Sequence, residues 1–145
     1  MRIATTILLL LAILFPSPLL ADALNKKATV YRDPNCGCCG GHARYLRQHG
    51  FDVTIVPMEN LTPIKRRYGV PEELASCHTT VIGNYAVEGH VPIAAIKKLL
   101  ALKPKVRGIA LPGMPMGSPG MPGEKDTVFM IYSFSDGATK VFTTE

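Results

Sequence analysis

Residues 28–50 read ATVYRDPNCGCCGGHARYLRQHG, and this stretch decides the architecture. Ala28 to Arg32 is apolar and β-prone, as a strand requires. Asp33-Pro34-Asn35 is turn chemistry. Cys36, Cys38 and Cys39 follow, then Gly40-Gly41. His42 to His49 has a helical pattern, with Ala43 and Leu46 inward and Arg44, Arg47 and Gln48 outward, and Gly50 ends it. Three thiols therefore stand at a strand-to-helix turn. A helix N-terminus presents unpaired N–H groups and a positive dipole end, which favour thiolate.

The pattern continues downstream. Phe51 to Val56 alternates as a second strand, and Thr62-Pro63 opens a short helix to about Tyr68, stopped by Gly69. Thr79 to Ile82 and Tyr85 to Val87 read as two strands around a Gly83-Asn84 turn. Glu88-Gly89-His90 reads as a loop, and Pro92 opens a helix over Ile93 to Leu102. Pro104 to Gly123 lacks periodicity and reads as one long Met/Pro/Gly loop; Thr127–Phe134 and Ala138–Thr143 form a last hairpin. The expected class is α/β, with a β-α-β-α-β-β-α core joined by a right-handed βαβ unit.

That order, with cysteines where strand one meets helix one, resembles the thioredoxin fold. The loop before the third strand then lies beside the cysteine turn, which brings the fourth cysteine, Cys77, to the other three. Cys36 and Cys39 keep the two-residue spacing of a redox pair. Cys38 is foreign to that pattern, and so is His78-Thr79-Thr80, where a proline is usual.

Residues 1–23 read as a cleaved export signal. Arg2 precedes an apolar run from Ile3 to Phe15, Pro16 and Pro18 follow, and Ala21-Asp22-Ala23 matches a small-x-small cleavage site. The run falls short of the roughly 20 residues a membrane span needs. Residues 24–145 remain as one domain in an oxidising, periplasmic setting that permits disulfides. The net charge of +5 comes from scattered basic residues, and the chain has no Trp. That argues against nucleic-acid binding, which uses a basic stripe with aromatic platforms.

Four thiolates, Cys36, Cys38, Cys39 and Cys77, suit a soft cation, with Cu(I) in a polynuclear cluster the natural candidate. Zinc also takes four cysteines, but its structural sites usually space paired ligands by at least two residues. Plain disulfides are the third option; Cys38–Cys39 is disfavoured because adjacent Cα atoms lie only about 3.8 Å apart. A metal-independent thiol–disulfide oxidoreductase would use Cys36 as nucleophile and Cys39 as resolving thiol. Secondary ligand candidates are His42, one helical turn beyond Cys39, His78 beside Cys77, and the thioethers of Met114, Met116 and Met121. The methionines serve equally as apolar plugs that seat the loop. His90 reads as a cap or a carbonyl-bonding residue, and His49 as structural.

Four segments carry a family resemblance: Tyr31 to Gly50, Ser76 to Thr80, Val87 to Pro92, and Pro112 to Met121. Together they resemble the CopG-type periplasmic copper-resistance family. The resemblance implies a thioredoxin-like fold, a copper cluster on Cys36, Cys38, Cys39 and Cys77, and a role in copper tolerance beside other periplasmic copper-handling proteins.

Overall fold

The computed structural model describes residues 26–145; the expected signal segment, 1–23, lies outside them. A seven-stranded mixed sheet runs in the order β2-β1-β3-β4-β5-β6-β7. Strands β1 (Lys27–Arg32) and β2 (Asp52–Pro57) are parallel and joined by helix α1 (Gly37–Gln48). Strand β3 (His78–Ile82) pairs antiparallel with β1, from Ala28 opposite Ile82 to Arg32 opposite His78. That register brings Cys77, one residue before β3, to the end of β1 where the cysteine turn begins. Strand β4 (Tyr85–Gly89) returns antiparallel, and helix α3 (Ile93–Leu102) crosses over to the parallel β5 (Gly108–Leu111). Helix α2 (Thr62–Tyr68) lies between β2 and β3 in sequence, and β6 (Met130–Ser135) with β7 (Ala138–Thr144) forms the last hairpin. Among the described residues no helix is long and apolar enough to cross a membrane.

Three sequence expectations need correction. Gly108–Leu111 is a strand, not part of the long loop. All four of its residues are buried, so it reads as an apolar run without alternation and is too short to stand out. Glu88 and Gly89 belong to β4 rather than to a loop. Helix α1 begins at Gly37, which places Cys38 and Cys39 in its first turn. Gly40-Gly41 does not break it. A Cβ on Gly41 would stand 2.7 Å from the Gly120 carbonyl oxygen, so glycine there admits the downstream loop against the helix.

Packing explains the rest of α1. Ala43 and Leu46 are fully buried, while Arg44, Arg47 and Gln48 are exposed. The helix ends in a Schellman arrangement: Gly50 (φ 86°) donates its N–H to the Arg47 carbonyl, and Phe51 N–H reaches the Leu46 carbonyl. The core joins Val30, Ala43, Leu46, Ile82, Val87, Ile96, Leu99, Ile109 and Ile131 across sheet and helices. Burying each Val, Leu or Ile side chain among these contributes about 1.5–3 kcal/mol. This holds α1 rigidly on the sheet and fixes where its N-terminus points.

Candidate metal centre

The cysteine turn is built by local hydrogen bonds. Asn35 N–H donates to Asp33 Oδ1 at 2.7 Å, and Cys36 N–H donates to the Asp33 carbonyl at 3.1 Å. Arg32, the last residue of β1, donates from Nη1 to the Cys36 carbonyl at 2.7 Å and to the Asp33 carbonyl at 3.2 Å. The turn is thus clamped to the strand that precedes it. Cys36 occupies the N-cap of α1, with no side-chain cap.

Cys36 and Cys39 form a disulfide, and Cys38 and Cys77 are free thiols. Cys38 Sγ lies 3.4 Å from Cys36 Sγ, and buried Cys39 Sγ lies 3.7 Å from the Cys77 carbonyl oxygen. All four sulfurs lie within 4.8 Å of one another. The sequence placed Cys77 beside the other three, and the fold brings them together. Opening the disulfide would expose four soft donors at one point.

Three buried histidines stand behind Cys77. His78 Nδ1 is 3.2 Å and His90 Nε2 is 3.1 Å from Cys77 Sγ. His42 does not reach the sulfurs: its Nδ1 is 2.9 Å from His78 Nε2, and its Nε2 faces the Val91 carbonyl at 3.1 Å. His42 is fully buried, and both its nitrogens are engaged within the protein. His90 bonds a carbonyl as expected, Nδ1 to Pro119 O at 2.8 Å, but its other nitrogen faces Cys77, which sequence reasoning missed. His49 bonds the Tyr45 carbonyl at the end of α1.

Burial sets the charges. It pushes the Cys77 thiol up to about 12, with Cys38 adding to the effect. It lowers His42 to about 4, and it holds His78 well below the usual histidine range, helped by His42 and His90. His90 is lowered by burial too. Burial thus works against charge on the Cys77 thiol and on all three imidazoles.

Glu88 on β4 is a second omission of the sequence reading. It is fully buried and accepts from Ser76 N–H and Thr79 Oγ1, each at 2.6 Å, and from Lys65 Nζ. Burial pushes its carboxyl up, against the pull of Lys65. These bonds tie down both neighbours of the Cys77-His78 pair.

Among the three methionines, Met114 and Met116 are 41% and 50% exposed, so neither is an apolar plug in the core. Met121 is half-buried and lines a shallow depression with Cys38, Gly41, Tyr45 and Gly120.

A mixed α/β domain here converges four cysteine sulfurs at a helix N-terminus, with two imidazole nitrogens on the fourth sulfur, a donor set that could hold a metal ion. The comparisons identify the family. The chain is similar to a solved structure titled copper resistance protein CopG, form 1, at 39% identity and a TM-score of 0.76, covering 82% of this chain and 96% of that one. Form 2 of the same protein matches at 38% and 0.75, covering 82% and 97%. The family model described as "Protein of unknown function, DUF411" matches residues 74–121, and no curated protein sequence matches. The chain belongs to the CopG copper resistance protein family.

Proposed function

We propose that this protein binds Cu(I) on Cys36, Cys38, Cys39 and Cys77 and contributes to copper resistance by sequestering, passing on or redox-cycling the metal. The observation that carries this reading is the approach of four sulfurs to within 4.8 Å at the N-terminus of α1. Soft thiolates select Cu(I) over harder divalent ions. The name of the similar structures supports copper as the cargo. The strand order β2-β1-β3-β4, with β1 and β2 parallel around α1, supports a thioredoxin-like core extended by β5 to β7. An exported, periplasmic chain is the setting in which a Cys36–Cys39 disulfide persists.

The disulfide makes the site two-state. Closed, it leaves two thiols; opened by two electrons and two protons, it presents four. Two Cu(I) ions release as many electrons on becoming Cu(II), so copper and thiols are matched in redox capacity. The same disulfide favours a second reading, metal-independent disulfide exchange with Cys36 as the attacked sulfur.

The test is copper stoichiometry. Reduced residues 24–145, loaded anaerobically with Cu(I) and desalted, retain two or more ions per chain, and Cys77→Ser lowers that number. Loss of all copper on desalting, with four thiols still titrating, overturns the copper reading in favour of disulfide exchange.

A further inference from the structure

The cysteine turn stands at one end of the sheet, where Arg32 pairs with His78. The opposite end carries a different chemistry. There β1 starts at Lys27, the Gly83-Asn84 turn joins β3 to β4, and β5 starts at Gly108 opposite Ala86. Helix α3 runs down to this end, and Tyr85 Oη donates to the Pro104 carbonyl at 3.0 Å, which pins the 103–107 segment there. Between Glu88 and Glu124 the chain holds Lys97, Lys98, Lys103, Lys105 and Arg107 and no acidic residue. All five are exposed. Salt bridges among the described residues engage Lys65 and Arg107, which leaves these four lysines without a carboxylate partner. Of the acidic groups at this end, Asp136 is taken by Arg107, and Asp52 stands opposite Lys27 in the β1–β2 register.

Two features go beyond charge. Leu102 is 62% exposed, one helical turn beyond Lys98 on the same face. Lys103 caps α3 in the left-handed region, at φ 47° and ψ 49°, where glycine is the usual residue. A charged side chain thus stands where backbone strain argues for none. The helix dipole does not explain these lysines, because the last turn of α3 holds no basic residue.

We propose that this end of the protein docks on an anionic phospholipid surface, with Leu102 entering the headgroup layer and Lys97, Lys98, Lys103 and Lys105 on lipid phosphates. An exposed apolar side chain ringed by cations complements an interface that is negative on top and apolar beneath. A soluble polyanion would satisfy the lysines and leave Leu102 in water. Strands of five to six residues set the two ends of the sheet roughly 16–20 Å apart. The docked protein therefore turns its cysteines away from the bilayer. This docking does not depend on the Cu(I) reading.

The chain has no Trp, so Leu102→Trp supplies a single fluorophore. Residues 24–145 contain the whole described fold and leave out the apolar leader. That variant is mixed at low salt with phosphatidylglycerol/phosphatidylcholine vesicles, with phosphatidylcholine vesicles, and with polyglutamate. A blue shift with the anionic vesicles alone is expected, with quenching by brominated lipid tails. Co-sedimentation of the unsubstituted protein with anionic vesicles should fall steeply as salt is added. Lys103→Gly relieves the backbone, so it melts no lower, yet it weakens binding about fivefold, the share of one lysine. Lys103→Glu with Lys105→Glu weakens binding by at least about tenfold. Arg66→Glu with Arg67→Glu makes the same charge change on α2 and should weaken it far less. Equal loss in the two double variants would mean attraction by net charge alone and overturns the proposal. So does equal binding to phosphatidylcholine, or no binding at low salt. Vesicle binding without the blue shift, or a blue shift with polyglutamate, overturns it in favour of a soluble acidic partner.

Discussion

His42 Nδ1 accepts from His78 Nε2 at 2.9 Å, and this bond links the cysteine helix to the segment that carries Cys77. The ring of His42 packs 4.8 Å from that of His78 and 5.6 Å from that of His90, centroid to centroid. One side chain on α1 therefore orients the imidazole that faces the fourth sulfur.

Replacing His42 by Phe keeps a buried ring but removes both hydrogen bonds. The Val91 carbonyl loses its donor and His78 is free to change tautomer. We expect a loss of about 1–3 kcal/mol in stability and of about 10–100-fold in metal affinity. Denaturant unfolding and competitive metal titration check the two parts; unchanged affinity would refute the orienting role.

The buried histidines impose a pH dependence on the metal-free protein. His42 titrates near about 4 in the fold, against 6.5 ordinarily. As pH falls, the unfolded chain takes up its proton first. The stability this neutral ring carries is therefore full above pH 6.5 and is lost progressively toward pH 4, about 3 kcal/mol for this group alone. His78 and His90 act in the same direction. Thermal melting of the disulfide-closed, metal-free protein should drop steeply over that window; a flat profile contradicts the assignment.

Glu88→Gln tests the anchor under Cys77. The amide keeps an acceptor for Ser76 N–H but leaves Lys65 without its buried counter-charge. Destabilisation of about 2 kcal/mol is expected, with faster alkylation of Cys77 as its segment loosens. Thiol-labelling rates in native conditions measure the second effect apart from the first.

Gly41→Ala reverses a general rule. Glycine to alanine inside a helix ordinarily gains up to about 1 kcal/mol. Here the new methyl meets the Gly120 backbone. We expect a loss of about 1–3 kcal/mol instead, and quicker proteolysis within residues 112–123. A rise in melting temperature would show that the close approach does not matter.

Much of this molecule was legible in its sequence. Alternation in Phe51–Val56 and helical spacing in Ile93–Leu102 each reflect one buried face, and such periodicity survives without tertiary knowledge. The approach of Cys77 to the turn followed from the element order through its resemblance to the thioredoxin fold. Strand β5 escaped because a strand covered on both faces has no alternation. His90 and Glu88 escaped for another reason. Their roles depend on partners far along the chain, Pro119 for one and Lys65 for the other. The Gly40-Gly41 pair misled because local propensity argues for a break, while the cause of the glycine at Gly41 is a loop some eighty residues downstream.

That loop contact makes the two glycines a matched pair. A Cβ on Gly120 would stand 2.3 Å from His42 N, and its φ of 88° suits no other residue well. Neither glycine can compensate for loss of the other, because each added Cβ would meet backbone and not a side chain that could shrink. Length changes are constrained in the same way. An insertion around Pro112–Pro115 lengthens an exposed arm, whereas one at Ser118–Gly120 shifts the Pro119 carbonyl out of register with His90. The Met/Pro/Gly segment, featureless by composition, is thus spliced into the centre at a single fixed point.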